Sequence, residues 1–343
     1  MKLRNLLSLF ILFIISLTLV FSLTFFLPGY LAASPQQTNT LTQRINLGFC
    51  AWAGWFPWQV SQAKNLFSAN KVNVKLQYFD NYQESISALI SGQLDANSQT
   101  LSDTIKAVAS GSNQVIVLVN DNSYGGDSLI VKQGINTIAD LKGKTVAIEK
   151  GSADHLLLLL ALKKAGLTIK DIKLKFLETG TAVVAFTDGK VDAVGAFAPF
   201  NFIALSLPGS KELFSSKNFP GAIPDVLVVS RNLINKNKNA INSIVNTWFK
   251  TLTFIKQNPD KAYPIMATRA ELPIEEYKTY ESTAKFFTLQ DNLKAFTPSN
   301  NMTSLYYAAR ETSQLFLEAG IIKRSPDLSK LFDDRFIKAV KLK

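Results

Sequence analysis

Two short stretches, Ser91-Gly-Gln-Leu-Asp-Ala96 and Asp188-Gly-Lys-Val-Asp-Ala193, write the same pattern. Each ends a helix on glycine, which supplies a left-handed C-cap, and each then starts a strand with Asp-Ala. One unit occurring once in each half of a chain predicts two lobes of like topology.

The surrounding pattern is βα alternation. Residues 44–50 alternate like a strand, 58–67 suit a helix, 72–79 alternate again, and 83–90 form a helix that stops at Gly92. A strand from Leu94, a helix over 101–109 and a β-branched strand over 114–119 follow. The second half repeats this with a strand at 145–149, a helix from Gly151-Ser152 to Leu162, a strand at 171–177, a short helix at 182–186 and a strand at 188–194. The expected class is α/β, two lobes each built on a mostly parallel sheet flanked by helices. Strands 128–132 and 225–229 are the expected crossings, so lobe 1 takes 44–131 plus 230–343 and lobe 2 takes 132–229. Residues 239–343 read as helices packed on lobe 1 and broken at Pro259, Pro264, Pro273, Pro298 and Pro326. A cleft at the carboxyl ends of the strands is the expected ligand site.

The 343 residues include one Cys and one His. That excludes a disulfide, a CxxC redox pair and a zinc site made of Cys and His, and no cofactor is expected. Neither a GxSxG elbow nor a P-loop is present. Cys50 reads as a buried strand residue and His155, in an apolar helical run, as a core or rim histidine. The net charge of +11 is unevenly spread: residues 231–343 contribute +7, whereas 76–131 hold only Lys106 against six acids, a net −5. The basic residues of the last third are scattered singly along amphipathic stretches, which argues for a solvated face and against nucleic-acid binding.

Residues 1–33 have the order of an export signal. Lys2 and Arg4 precede an uncharged run over 6–27, and Ala32-Ala33-Ser34 offers a cleavage site. The run of 22 residues, at about 1.5 Å each, also matches a bilayer core of about 30 Å, so retention as an N-terminal anchor stands beside cleavage. No Cys follows the run, so lipid attachment has no acceptor there.

Candidate ligand contacts follow from position. The loop Ala51-Trp-Ala-Gly-Trp-Phe-Pro-Trp58 places three indoles and a phenyl after the first strand; Trp52 and Trp55 are the expected cleft walls, and Trp58, at the first helical turn, is expected in the core. Aromatic faces attract cations and stack on planar groups. Asp121, Ser123 and Asp127 follow a strand end, where a carboxylate suits a cation and an Asx turn is the plain alternative. Gly151 and Ser152 open a helix whose free N–H groups suit an oxyanion, or serve only as a cap. Gln99, Thr100, Phe197, Phe200 and Asp225 complete the set by their places at strand ends. A cationic and an anionic feature together fit a zwitterion or a neutral polar molecule, and the acidic balance of 76–131 favours a positive or amino end.

The run Ile138-Ala-Asp-Leu-Lys-Gly-Lys-Thr-Val-Ala147, followed by Glu149-Lys-Gly-Ser152, resembles the entry to lobe two in the periplasmic substrate-binding proteins of ABC importers, nitrate/sulfonate/taurine group. The loop Asp121-Asn-Ser-Tyr-Gly-Gly-Asp127, with Asp80-Asn-Tyr82 and Leu101-Ser-Asp103, resembles a branch found beside urea- and guanidine-using enzymes. The resemblance runs in order from Ile45 to Ile234. It implies the two-lobed periplasmic-binding-protein fold (type II), a small polar nitrogen- or sulfur-containing ligand, a monomer, and membrane permease subunits driven by a cytoplasmic ATPase as partners. Two departures stand out: Phe197-Ala-Pro199 replaces a Trp and Asn-Pro loop, and Asp154 replaces a small residue before His155. Enzymes related to the thiamine-pyrimidine synthases share this architecture, and a membrane-anchored sensory domain is a further alternative.

Overall fold

The computed structural model describes residues 43–341; the export segment, 1–33, lies outside them. The strands are β1 (Ile45–Cys50), β2 (Val74–Phe79), β3 (Ala96–Thr100), β4 (Gln114–Ser123), β5 (Asp127–Val131), β6 (Thr145–Ile148), β7 (Lys173–Phe176), β8 (Ala193–Phe197), β9 (Lys211–Ser215), β10 (Pro224–Ser230) and β11 (Ala284–Phe286). They form two sheets, β11-β4-β10-β3-β1-β2 and β7-β6-β8-β5-β9. In each, most strands run one way, joined by helical crossovers, and one central strand runs against its neighbours: β10 between β3 and β4, β5 between β8 and β9. The sheets are therefore mixed rather than uniformly parallel.

The sheet membership moves both crossings. Strand β5 pairs only within the second sheet and β10 only within the first, so the chain crosses at 124–126 and returns at 216–223, not along 128–132 and 225–229. Both strands are buried along nearly their whole length, which suits a sheet centre rather than an exposed connection.

The repeated Asp-Ala unit does the same work in each lobe. Oδ2 of Asp95 accepts the N–H of Asn46 at 2.9 Å, and Oδ2 of Asp192 accepts the N–H of Thr145 at 2.8 Å. Each aspartate thus pins the entry of the parallel strand beside its own, β1 in one lobe and β6 in the other. Their carbonyls receive the last residues of the reversed strands, from Ser230 and Lys132. The preceding glycines, Gly92 and Gly189, have φ of 81° and 79°, a turn that a side chain would strain.

The C-terminal helices cover the first lobe. Helix Lys238–Gln257 packs on helix Pro57–Ala63 through Trp58 and Trp248, 4.5 Å between rings, and Ser61 meets Thr251 at 2.7 Å. Pro259 opens helix Pro259–Ala270, but Pro264 lies inside it and does not break it. The proline forfeits one early hydrogen bond, while Ala262, Met266 and Ala267 keep the helix on the core.

Helix Ala153–Lys164 joins the lobes. Its stretch 156–162 is apolar on every side, as suits a helix buried against both lobes. Leu157, Leu158, Ala161 and Leu162 pack against the second sheet, whereas Leu156 and Leu159 belong to the first lobe's core.

Candidate functional site

The residues that follow the carboxyl ends of β1, β3 and β4 meet those that follow β6 and precede β5. Trp52, two residues past β1, donates its indole N–H to Oδ1 of Asp121 at 2.9 Å. Asp121 faces Asp225 across the β4–β10 ladder, and Asp225 also faces Thr100 of β3. Both carboxyls are buried and lie within hydrogen-bond reach of each other, so a single proton can be shared between them; Oδ2 of each finds no other donor. Gly54 makes room for them: a Cβ there would lie 2.0 Å from Asp121 Oδ2.

Burial raises the Asp121 pKa to about 7, against the opposing hydrogen bond from Trp52. Burial likewise raises Asp127 to about 6, with the Ser123 hydroxyl pulling the other way. Asp225 is pushed well up by burial and then by the charges of Asp121 and Asp127. The cause is common: four carboxyls in low dielectric disfavour being charged together.

The fourth is Asp154, in the first turn of helix Ala153–Lys164. It is 3% exposed, and neither oxygen finds hydrogen-bond geometry with a partner. Burial and then the charges of Asp127 and Glu149 raise its pKa well above normal, partly offset by the nearby N–H of Ser128. Gly195 of β8 leaves space beside it, a Cβ there coming within 3.3 Å of the Asp154 Cβ. Asn201 completes this wall. Its Nδ2 donates to Gly126 O at 3.1 Å and Ser128 Oγ at 3.3 Å, on either side of Asp127, and its Oδ1, 1% exposed, has no partner.

The structure brings together Trp52, Asp121, Asp127 and Asp225 of the expected set. Trp55 is buried against Tyr82 with its indole N–H unpartnered, and Trp58 is core as expected, its N–H on Ser98. Other expected contacts are spent internally. The Gln99 amide is held by Asn97, Thr104 and Gln114 inside lobe 1. Thr100 caps helix Leu101–Ala109 and bonds Asp103. Ser123 pairs with Ser216 at 2.8 Å and so fastens the two crossings. Phe197 and Phe200 stack edge-on, both half-buried.

At Gly151 and Ser152, the expected oxyanion site, part of the polar surface bonds internally. Gly151 N–H donates to Nδ1 of His155 at 3.0 Å, and the Ser152 hydroxyl accepts from His155 N–H at 3.2 Å. His155 is neutral: burial, then Lys106 and Lys150, lowers its pKa to about 4. Ser152 is the N-cap of this helix.

Three contributors escape a sequence reading because their partners lie far away in the chain. Lys106 pairs with Asp103 at 2.6 Å and lies against Gly151 of the other lobe. The Tyr280 hydroxyl stands 2.7 Å from Ala51 O and 3.3 Å from Ala198 O, bridging the lobes beside Trp52. Asn201 gave no local signal. Among the described residues no group of three or more His, Cys, Asp or Glu side chains is arranged for a metal ion. A cavity of about 210 Å³ lined by Leu293, Phe296, Asp334 and Ile337 touches none of the carboxyls.

Residues 39–269 match the model of the NMT1-like family. The chain belongs to that family. This NMT1-like chain is 27% identical over 247 residues to a putative aliphatic sulfonates-binding protein of Escherichia coli, covering 71% of this chain and 74% of that one. It is 25% identical over 239 residues to a putative binding protein of Brucella abortus, 68% and 74% of the two chains. The crystal structure of the periplasmic aliphatic sulphonate binding protein from Escherichia coli superposes with a TM-score of 0.70 at 23% identity, covering 84% of this NMT1-like chain and 97% of that one. The fold is the periplasmic-binding-protein fold.

Proposed function

We propose that this chain is the extracytoplasmic solute-binding component of an ABC importer. It captures one small polar nitrogen- or sulfur-containing molecule between a first lobe of 44–123 with 224–341 and a second lobe of 127–215, and delivers it to membrane permease subunits coupled to a cytoplasmic ATPase. The observation that carries this reading is the buried polar surface shared by both lobes: Asp121 and Asp225 from one, Asp127 and Asp154 from the other, with unpartnered oxygens. Buried polar atoms without partners are costly, and a ligand that satisfies them stabilises the closed form. The relatives named as binding proteins support capture rather than catalysis. Residues 1–33 supply the export address, by cleavage or as an anchor.

The test is a thermal-shift panel of small solutes on the purified protein. A ligand that binds only the folded state raises the melting temperature with concentration. A shift with one small polar solute, lost in Trp52→Ala or Asp127→Ala, supports the reading; shifts only with a sugar or a peptide contradict it.

A further inference from the structure

The sign of the charge that this site reads is written in its unpartnered atoms. Four carboxyls, Asp121, Asp127, Asp154 and Asp225, are each at least nine-tenths buried; Asp121 and Asp225 lie within hydrogen-bond reach of each other and find no other donor for Oδ2, and neither oxygen of Asp154 has a partner. The nearby ammonium, Lys106, is already taken by Asp103 at 2.6 Å. Asn201 adds an independent sign. Its Nδ2 is fixed on Gly126 O and Ser128 Oγ, so its free buried atom is an acceptor. Against these stand the neutral donors Trp55 Nε1 and His155 Nε2, which carry no charge to match four acids. At the helix N-terminus the Gly151 and His155 N–H groups are taken by His155 and Ser152, and a carboxyl, Asp154, stands in the first turn.

We infer that the pole of the ligand recognised here is a small nitrogen cation bearing several N–H donors, an alkylammonium or guanidinium group, with Asp154 as the specificity-determining carboxylate of the second lobe. The inference rests on the reading of the chain as a solute-binding protein. A carboxylate facing such a group makes charge-assisted bonds and recovers the cost of its own burial; an oxyanion in the same place meets like charges.

Calorimetric titration at pH 8 tests this with guanidinium, ethylammonium, urea, ethanesulfonate and nitrate. The expected result is binding of guanidinium or ethylammonium and none of ethanesulfonate or nitrate, with Asp154→Asn weakening the cation at least tenfold. Asp127→Asn serves as the second variant should Asp154→Asn fail to fold, and the same loss is expected. Binding of ethanesulfonate or nitrate alone, urea as tight as guanidinium, or unchanged cation affinity in the folded variants overturns the inference while leaving a solute-binding protein. Binding by no member of the panel overturns the inference, and the thermal-shift panel then decides whether the protein binds another small polar solute or only a sugar or peptide.

Discussion

The indole N–H of Trp52 sits 2.9 Å from Oδ1 of Asp121 and ties the loop after β1 to the end of β4. It leaves the other oxygen of that carboxyl free, and the edge of Tyr280 backs the indole from the helix Ile274–Glu281. A first-strand loop, a fourth-strand end and a C-terminal helix therefore fix one carboxyl between them.

Trp52→Phe keeps the ring and deletes the donor. A hydrogen bond to a buried, partly charged group is worth about 1.5–3 kcal/mol, so chemical denaturation should show a loss of that order. Ligand affinity at pH 7 should fall at least tenfold, because Asp121 without its donor holds its proton more tightly. Wild-type affinity in a folded Trp52→Phe protein would remove this contact from the site.

Gly54→Ala places a methyl group 2.0 Å from Asp121 Oδ2, where no real Cβ contact is tolerated. The carboxyl must turn away. The expected outcome is a loss of ligand binding of at least tenfold with the circular-dichroism spectrum retained, and an additional stability cost of about 1–3 kcal/mol from overpacking.

Asp95→Ala and Asp192→Ala test the internal repeat. Each leaves one strand-entry N–H, of Asn46 or Thr145, without its carboxylate. Each should cost about 1–3 kcal/mol in a denaturation curve, and the double variant should show the sum, since the two sites are in different lobes.

Lys106→Met tests the closed arrangement. Lys106 links Asp103 in one lobe to Gly151 in the other, and its loss leaves Asp103 without its ion pair. Small-angle scattering should show a larger radius of gyration than the wild type without ligand, and ligand release should quicken.

Much of this fold was legible in local pattern. Helix 101–109 and strands 45–50 and 224–230 follow from period and glycine punctuation, because each buries an apolar face whose spacing is written in its own residues. What escaped depends on register. Strands β9 and β11 are short and partly polar, and neither alternates clearly. Trp52 and Trp58 look alike in sequence, but one meets Asp121 and the other Ser98, a choice made by where β3 and β4 pass. The Asp121–Asp225 pairing needs two strands a hundred residues apart to align. Gln99, at a strand end, was expected to face the cleft, yet Asn97, Thr104 and Gln114 use all of its amide.

The pH dependence tests the charge of the ligand most directly. Around Asp121 stand Asp225, Asp127, Asp103 with its Lys106 partner, and the phenols of Tyr277 and Tyr280; His155, at about 4, stays neutral. Asp121 and Asp127 have folded pKa values of about 7 and about 6 against an ordinary 3.8. Carboxyls raised in this way contribute stability that is full below about pH 4 and is lost as pH rises through about 6 to 7, so the ligand-free protein should melt lower at pH 8 than at pH 5. A nitrogen cation favours the ionised carboxylates, and its affinity, measured by calorimetry from pH 5 to pH 8, should rise through that same window. Affinity that stays flat or falls over pH 5 to 8 would contradict a cation-reading site between the two lobes.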